Sequence, residues 1–242
     1  MLRLPKFNLV SPKSIDEAVQ ALADSEGRAR ILAGGTDLLP NLKHEFIEAD
    51  IVVSLGEIDE LRGIEVTDEG GLSIGPLTSL ADIASNEHVL RIAPALAQAA
   101  GTVAGPQHRI MGTIGGNVML DTRCQWINQS HFWRSSLGFC LKKDGTACHV
   151  VEGGSRCVAA ASNDTAAALA SLGASLDFQS APTEHGDGKR SLDFDALFGL
   201  NSLVQTITPL TTIHKPPSKF VDNDYLAILH NVILVFDKHV VC

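Results

Sequence analysis

The stretch ILAGGTDLLPNLK, residues 31–43, joins an apolar segment to a region of helical spacing through two glycines. The pattern predicts a short buried strand, a tight turn and a helix with Pro40 in its first turn. Glycine lacks a Cβ atom, so the backbone N–H groups of such a turn can approach an anion closely, and Thr36 adds a hydroxyl donor. The unit can therefore hold a phosphate, although an ordinary tight turn is the alternative.

A second glycine stretch, GTIGGN at residues 112–117, also contains paired glycines that let backbone N–H groups approach an anion. The hydroxyl of Thr113 and the amide of Asn117 would supply directed donors beside the paired glycines. Two such stretches together favour one ligand with a pyrophosphate over two independent turns. Neither stretch matches the G-x-G-x-x-G fingerprint or the P-loop, so the two commonest nucleotide folds are not supported. The residues alone leave a phosphate-bearing cofactor as the hypothesis.

The elements around these stretches mix helices and strands. A capping box at Ser14 and Glu17 predicts a helix that ends at Gly27. The polar stretch at residues 180–191 predicts a surface hairpin or loop. Further elements are predicted from apolar spacing: strands in residues 50–55 and 70–75, one helix in 78–90, another in 93–103, and a helix, a stop at Gly173 and a strand in 164–178.

Composition limits the class of protein. With 242 residues and 45% hydrophobic content, the chain can bury the core of one large domain or two modest ones. Its net charge of -9 argues against a nucleic-acid partner, because phosphate neutralisation needs clustered Lys and Arg. No apolar run reaches the roughly 20 residues that span a bilayer, and the amino terminus predicts no signal peptide. We therefore expect no membrane partner and a cytoplasmic location.

Four of the five cysteines form a group, separated by intervals of 15, 7 and 8 residues. Four thiolates can bind an iron–sulfur cluster or a tetrahedral zinc ion, but this spacing matches neither a zinc ribbon nor a ferredoxin run. Unliganded buried cysteines are the alternative, and Cys242 lies outside the group. Asp121 and Arg123 precede the group and either orient a cofactor or form a local salt link. The four grouped residues are Cys124, Cys140, Cys148 and Cys157.

The two glycine stretches, with SPKSIDEAVQAL before them and IGPLTSLADIA between them, resemble the FAD-binding subunit of the molybdenum hydroxylase family. This resemblance covers roughly residues 1–200 and implies an α+β, two-subdomain FAD-binding fold, with subdomains at 1–58 and 59–200. The implied FAD contacts lie in the glycine stretches and at one apolar neighbour of the flavin. They are Ile31, Leu32, Ala33, Gly34, Gly35, Thr36, Asp37, Leu38, Val103, Thr113, Ile114, Gly115, Gly116 and Asn117.

One branch of this family carries cysteines after the second glycine stretch. The segment LDTRCQWINQS and the spacing of the four cysteines resemble the FAD subunit of 4-hydroxybenzoyl-CoA reductase, whose inserted loop holds a [4Fe-4S] cluster. The resemblance implies an iron–sulfur loop at about residues 121–158, with the four grouped cysteines as its ligands. It also implies that the residues from 201 to 242, which do not resemble the family, form an atypical tail, truncated or altered in reading frame.

The implied function is an electron relay without a catalytic residue on this chain. A ferredoxin-like donor would reduce the [4Fe-4S] cluster and then FAD. Electrons would continue to [2Fe-2S] clusters on a small subunit and a molybdenum cofactor on a large one, where 4-hydroxybenzoyl-CoA becomes benzoyl-CoA. The alternatives are the FAD subunit of another molybdenum hydroxylase, a zinc-stabilised nucleotide-binding module without redox activity, and an incompletely folded fragment.

Overall fold

The computed structural model describes residues 2–182, 188–194 and 233–236 of the chain. The first part is a three-stranded parallel sheet with one helix on each side. Its strand order is β1-β3-β2, so β3 is central. Its elements are β1 (Asn8–Val10), α1 (Ile15–Ala23), β2 (Ala29–Leu32), α2 (Leu38–Lys43) and β3 (Ile51–Ser54).

The central strand is buried on both faces, as expected for a parallel sheet covered by helices. Val53 packs in the cluster that contains Leu22 of α1. Its neighbour Val52 packs on the opposite face with Leu42 of α2. Successive strand residues point to opposite faces, so one short strand holds both helices. This arrangement fixes α2, and with it the loop between β2 and α2, on the sheet.

One of the two hydrogen bonds of the predicted capping box is present at the start of α1, and the other has a different donor. The Ser14 side chain accepts a hydrogen bond from the Glu17 backbone N–H at 3.2 Å, as predicted. The Glu17 carboxylate, however, accepts from the N–H of Lys13 at 2.8 Å, one residue before the expected partner. The acidic group still satisfies a free donor at the helix start.

The second part is an antiparallel sheet with helices packed on it, in the strand order β4-β5-β8-β6-β7. Its apolar core includes Leu72 and Leu176 on the strands and Leu96 on a helix. After a 3-10 turn at Asp59–Leu61, its elements are β4 (Ile64–Val66), β5 (Leu72–Ile74), α3 (Leu80–Ser85), α4 (Glu87–Ile92), α5 (Pro94–Thr102), α6 (Pro106–Met111), α7 (Ile114–Val118), α8 (His131–Ser136), α9 (Ala166–Ser171), β6 (Ala174–Gln179), β7 (Lys189–Asp193) and β8 (Ile233–Phe236).

The prediction of one helix over residues 78–90 is wrong, because Asn86 divides the region into α3 and α4. The Asn86 side-chain oxygen accepts hydrogen bonds from the backbone N–H groups of His88, at 2.9 Å, and Val89, at 3.2 Å. Its own backbone is extended, with φ -71° and ψ 129°. A short polar side chain can thus compete with the helical backbone and start a new helix. The mixture of helices and strands expected from the sequence is confirmed.

Two predictions fall partly on residues outside the described ranges. The predicted hairpin at 180–191 has its flanks in place, since β6 and β7 pair antiparallel and the Ser180 N–H donates to the Gly188 carbonyl at 2.8 Å. Residues 183–187 lie outside the description. Of the tail from 201 to 242, only β8 is described, and its backbone pairs with β5 and β6. Within the described residues, no helix has the length and apolarity needed to cross a bilayer.

Candidate functional site

A cavity of about 420 Å³ lies where the loop after β2 faces α6 and α7. Its size is in the range of small-molecule and cofactor sites. All the predicted FAD contacts except Leu32 and Ile114 line it. Leu32 packs in the apolar cluster beside α2, and Ile114 is fully buried in the core of the second part. The structure therefore brings the two glycine stretches to one cavity, although they are far apart in sequence.

The first glycine stretch lines this cavity and has backbone donors without a partner in the described part of the chain. From Gly34 to Leu38, five successive N–H groups have no hydrogen-bond partner among the described residues. The first backbone bond after the loop runs from the Leu39 N–H to the Gly35 carbonyl at 3.3 Å. Successive backbone N–H groups without internal partners are a feature of phosphate-binding loops. This loop is suited to an anionic ligand.

Backbone packing requires both glycines of this loop. A Cβ atom on Gly34 would lie 1.8 Å from the carbonyl oxygen of Met111 at the end of α6. Gly35 has φ +74°, a left-handed conformation that L side chains rarely adopt. The phosphate hypothesis and the tight-turn alternative are therefore compatible here. The same glycines shape the turn, whose residues line the cavity.

The second glycine stretch differs from the predicted open turn, because it begins helix α7. Thr113 is the N-cap, and its hydroxyl accepts from the Gly116 N–H at 3.2 Å. The N–H of Gly115 donates to the Pro76 carbonyl at 2.9 Å, and that of Ile114 to the Thr78 carbonyl at 3.0 Å. These donors are already paired inside the protein. The stretch therefore forms cavity wall by close packing, and the free donors come from the first stretch.

Gly116 is the member of this stretch that leaves room for a ligand. A Cβ atom on Gly115 would approach Pro76 Cβ at 2.7 Å, so Gly115 is needed for packing. At Gly116 an added Cβ would lie 3.1 Å from the Thr113 hydroxyl oxygen, and no other heavy atom of the described residues, beyond its chain neighbours and the backbone of its own helix, lies within 4 Å. Gly116 is exposed and lines the cavity. Its missing side chain thus keeps cavity space open.

Several cavity residues were not among the sequence predictions. Pro76 and Leu80 belong to the IGPLTSLADIA segment, which contributed to the predicted secondary structure and to the resemblance but not to the predicted cofactor contacts. His108 lies on α6, which was not predicted, and follows Ala104, a non-glycine residue with φ +41°. A left-handed backbone conformation of this kind is uncommon outside glycine. No periodic signal marks this segment, so sequence reasoning missed it. The remaining cavity residues outside the prediction are Leu55, Leu77, Gly112, Met119, Leu120 and Asp164.

Asp37, at the start of α2, is the acidic residue of the unpaired loop, and Arg123 binds it. The Arg123 guanidinium donates to the carboxylate of Asp37 and, at 3.1 Å, to the side-chain oxygen of Asn41. It also lies 5.6 Å from the ring centroid of Phe46. Burial raises the pKa of the Asp37 carboxyl, while Arg123 opposes this shift and Asp121 adds to it. The alternative of a local salt link at this turn is wrong, because Arg123 pairs with Asp37, 86 positions away, and Asp121 pairs with Lys142.

The four grouped cysteines line a second, small cavity of about 20 Å³. Two of their sulfurs accept backbone hydrogen bonds at 3.4 Å, Cys148 from the Val151 N–H and Cys157 from the Ala159 N–H. Burial raises the pKa of the Cys157 thiol, and the Ala159 N–H and Lys142 oppose this shift. Hydrogen bonds to sulfur and burial are features that tune iron–sulfur clusters.

The cysteine cavity fits a cluster in the number and type of its donors. Four thiols border one cavity, and cysteine thiolates are the usual ligands of a [4Fe-4S] cluster. Among the described residues, however, no three His, Cys, Asp or Glu side chains converge closely enough to form a preformed metal site. The cluster therefore stays a prediction.

A second arginine links the cysteine segment to the residues that follow α2. Arg134 on α8 is buried, with 2% of its surface exposed. Its guanidinium donates to the carbonyl oxygens of His44, at 2.9 Å, and Glu45, at 3.0 Å, just after α2. A guanidinium can hold two backbone carbonyls at once because its donors are planar and fixed. The segment therefore packs against the same helix that carries the candidate cofactor loop.

Comparison with known proteins agrees with this fold. Residues 5–207 match the family described as the FAD binding domain in molybdopterin dehydrogenase. The carbon monoxide dehydrogenase medium chain of Hydrogenophaga pseudoflava is 41% identical over 115 residues, which are 47% of this chain and 39% of that protein. An aldehyde oxidoreductase FAD-binding subunit of Escherichia coli is 32% identical over 159 residues, 62% of this chain and 48% of that protein.

The same relationship is seen in three dimensions. The solved carbon monoxide dehydrogenase from Hydrogenophaga pseudoflava that lacks the Mo-pyranopterin moiety aligns with a TM-score of 0.59 and 28% identity, covering 81% of this chain and 53% of that one. The fold and cavity thus define a flavin-binding domain. The chain belongs to the family of FAD-binding domains of molybdopterin dehydrogenases. Its matched region spans about two fifths of the length of its relatives, 39% of the carbon monoxide dehydrogenase chain.

Proposed function

We propose that this chain binds FAD in the 420 Å³ cavity and acts as the electron-transfer subunit of a molybdenum-dependent oxidoreductase. The row of unpaired N–H groups from Gly34 to Leu38 carries the proposal, because it offers an anion site inside a cavity of cofactor size. Membership of the FAD-binding family supports FAD as the ligand.

In this proposal the residues bind and orient the cofactor. The unpaired loop donates to the pyrophosphate, and Gly116 leaves space at the opposite wall. Val103 and Leu80 contribute apolar surface to the same cavity. Bound FAD accepts two electrons and can release them singly, which suits it to exchange with one-electron carriers. The chain needs no general acid or base for this role.

We propose further that Cys124, Cys140, Cys148 and Cys157 bind a [4Fe-4S] cluster. Their common cavity, the two N–H groups that donate to sulfur and the buried Lys142 beside them support this assignment. Lys142 donates to Asp121, at 2.9 Å, and to the Thr122 hydroxyl, at 2.6 Å. These bonds hold the start of the cysteine segment in place.

The sequence of the cysteine segment favours a reductase that converts 4-hydroxybenzoyl-CoA to benzoyl-CoA. The proposed partners are a large subunit with the molybdenum cofactor, a small subunit with [2Fe-2S] clusters and a ferredoxin-like donor. A second candidate is the flavin subunit of another molybdenum hydroxylase without a cluster. The absence of converged metal ligands among the described residues favours this second candidate. The names of two relatives, a carbon monoxide dehydrogenase medium chain and a xanthine dehydrogenase FAD-binding subunit, also favour a molybdenum hydroxylase other than the benzoyl-CoA-forming reductase.

Anaerobic purification of the full chain tests these proposals directly. Iron, acid-labile sulfide, zinc and extracted flavin are measured, with absorption spectra before and after dithionite. About four iron and four sulfide with one FAD per chain are expected for the two-cofactor subunit. FAD without iron supports the second candidate. Zinc with no flavin supports the structural zinc module and contradicts electron transfer by this chain.

A further inference from the structure

Arg123 connects the two candidate cofactor sites. Its backbone directly precedes Cys124, the first cysteine of the group. Its guanidinium reaches Asp37 and Asn41, which belong to the loop and helix of the flavin cavity. The side chain is 13% exposed and that of Asp37 is 41% exposed, so the pair is partly shielded from solvent. One residue therefore touches the flavin loop and adjoins a proposed cluster ligand.

The backbone of Arg123 is held in place from the far end of the cysteine segment. Its N–H donates to the Ala160 carbonyl at 2.7 Å, and its carbonyl accepts from the Ala160 N–H at 3.2 Å. Ala160 lies three positions after Cys157 in the sequence. The first and last cysteines are thus next to a bridge between the two ends of the segment. A ligand that fixes the positions of the four cysteines would therefore also restrict the Arg123 backbone.

We infer that Arg123 is a positioning residue that couples the two cofactor sites, so that filling the cysteine cavity tightens FAD binding through Asp37. This inference rests on the proposed FAD and [4Fe-4S] sites. A filled cysteine cavity restricts Cys124 and the adjoining Arg123 backbone, and the guanidinium then holds Asp37 more of the time. Such coupling is reciprocal, and occupied FAD equally favours assembly of the cysteine site.

The positive charge of Arg123 gives its contact with Asp37 a second effect on FAD binding. The Asp37 carboxylate belongs to the loop that would donate to the pyrophosphate, and like charges repel most strongly where water is partly excluded. Arg123 compensates this charge by a two-pronged contact with Asp37 and Asn41. An unordered cysteine segment would leave Asp37 uncompensated beside the anion. Both effects act in one direction and weaken FAD binding when the cysteine cavity is empty.

The test measures FAD affinity in the full chain, with the cysteine site either empty or loaded by anaerobic iron and sulfide reconstitution. Wild-type protein is expected to bind FAD about tenfold more tightly when loaded, a typical size for coupling between sites. The measured quantity is the ratio of FAD affinity in the loaded chain to that in the empty chain. Arg123→Gln and Asp37→Asn are each expected to reduce this ratio to within about twofold. Arg123→Lys keeps the charge but loses the planar fork, so its ratio is expected to be intermediate.

Arg28→Gln is the matched control, because Arg28 forms an exposed ion pair with Asp50 at 3.5 Å in the same part of the fold. Its ratio is expected to equal that of wild type. A loaded wild-type chain with no change in FAD affinity overturns the inference, as does an unchanged tenfold ratio in both Arg123→Gln and Asp37→Asn. A chain that takes up no iron and sulfide overturns the cluster proposal and the coupling with it.

Discussion

Asn117 and Thr165 are joined by two buried hydrogen bonds across the base of the cysteine segment. The Asn117 side-chain oxygen accepts from the Thr165 N–H at 3.1 Å and from the Thr165 hydroxyl at 2.7 Å. The two residues are 48 positions apart, and all four grouped cysteines lie between them. Asn117 ends the second glycine stretch, and Thr165 precedes α9. The cysteine segment therefore leaves and rejoins the second part of the fold at one point.

Thr165→Val removes the hydroxyl bond of this pair while keeping the side-chain shape. Because the Asn117 oxygen is buried, loss of one of its two donors is expected to lower the free energy of unfolding by about 1–2 kcal/mol. Urea denaturation followed by circular dichroism measures the change. Thr102→Val is the control, since the Thr102 hydroxyl makes an exposed bond to the Ala99 carbonyl. Equal stability of the two variants would contradict a structural role for the pair.

Gly34→Ala and Gly116→Ala distinguish a glycine that backbone packing requires from one that leaves room for FAD. At Gly34 the added Cβ collides with the Met111 carbonyl, so thermal unfolding is expected at a lower temperature than in wild type. At Gly116 the methyl group enters the cavity and contacts only the Thr113 hydroxyl. The fold is expected to persist there, while FAD affinity falls about tenfold. Circular dichroism melting and fluorescence titration with FAD measure the two effects. Unchanged affinity in Gly116→Ala would remove this wall from the FAD site.

Arg134→Ala tests the attachment of the cysteine segment to the residues that follow α2. The substitution leaves the His44 and Glu45 carbonyls without their charged donor, and a loss of about 2–3 kcal/mol in unfolding free energy is expected. Limited proteolysis should then cut the cysteine segment faster. Exposed Arg156 supplies the control substitution Arg156→Ala, which is expected to behave as wild type. Identical proteolysis of both variants would show that Arg134 does not hold the segment.

Cys148→Ser tests the cysteine site itself. Serine has nearly the shape of cysteine but is a poor cluster ligand, so iron and sulfide after anaerobic reconstitution are expected to fall by at least half. Cys242→Ser is the matched control, because Cys242 does not belong to the spaced group. Iron analysis and the absorption spectrum report the result. Full iron content in Cys148→Ser would exclude Cys148 as a ligand.

Asp37 should contribute a pH-dependent part of the stability. Burial raises its pKa above the ordinary value of 3.8, so ionisation is less favourable in the folded chain than in the unfolded one. Its contribution is fully present below that ordinary value and is lost as pH rises through the folded-state pKa. The stability of Asp37→Asn relative to wild type is therefore expected to increase with pH above 3.8. Urea denaturation across acidic pH measures this, and a difference independent of pH would contradict it.

Local signals in the sequence predicted much of the first part of the fold. The Ser14 cap, the apolar run before Gly34 and the position of Pro40 correspond to α1, β2 and α2 in the structure. Each of these signals acts through bonds or side-chain spacing within a few residues, and such interactions are visible in sequence. The spacing of the cysteines likewise indicated one group, and the structure places the group around one cavity.

Helix α7 and the break at Asn86 could not be deduced in the same way. Two glycines disfavour a helix by about 1 kcal/mol each, yet Gly115 is helical because its N–H bonds to the Pro76 carbonyl and its surface packs on that proline. Asn86 could equally have continued one helix, since its side chain offers an alternative to the backbone only when the chain turns there. Tertiary contacts decided both cases.

By itself, the sequence determined the mixed helices and strands, the glycine loop after β2 and the grouping of four cysteines. Only the tertiary structure decided that Arg123 meets Asp37, 86 positions away, and that Asn117 meets Thr165. The physical reason is the separation along the chain between the residues that interact. Capping, turn formation and apolar spacing depend on neighbours along the chain, whereas a guanidinium or a buried amide finds its partner only after the sheets and helices have packed.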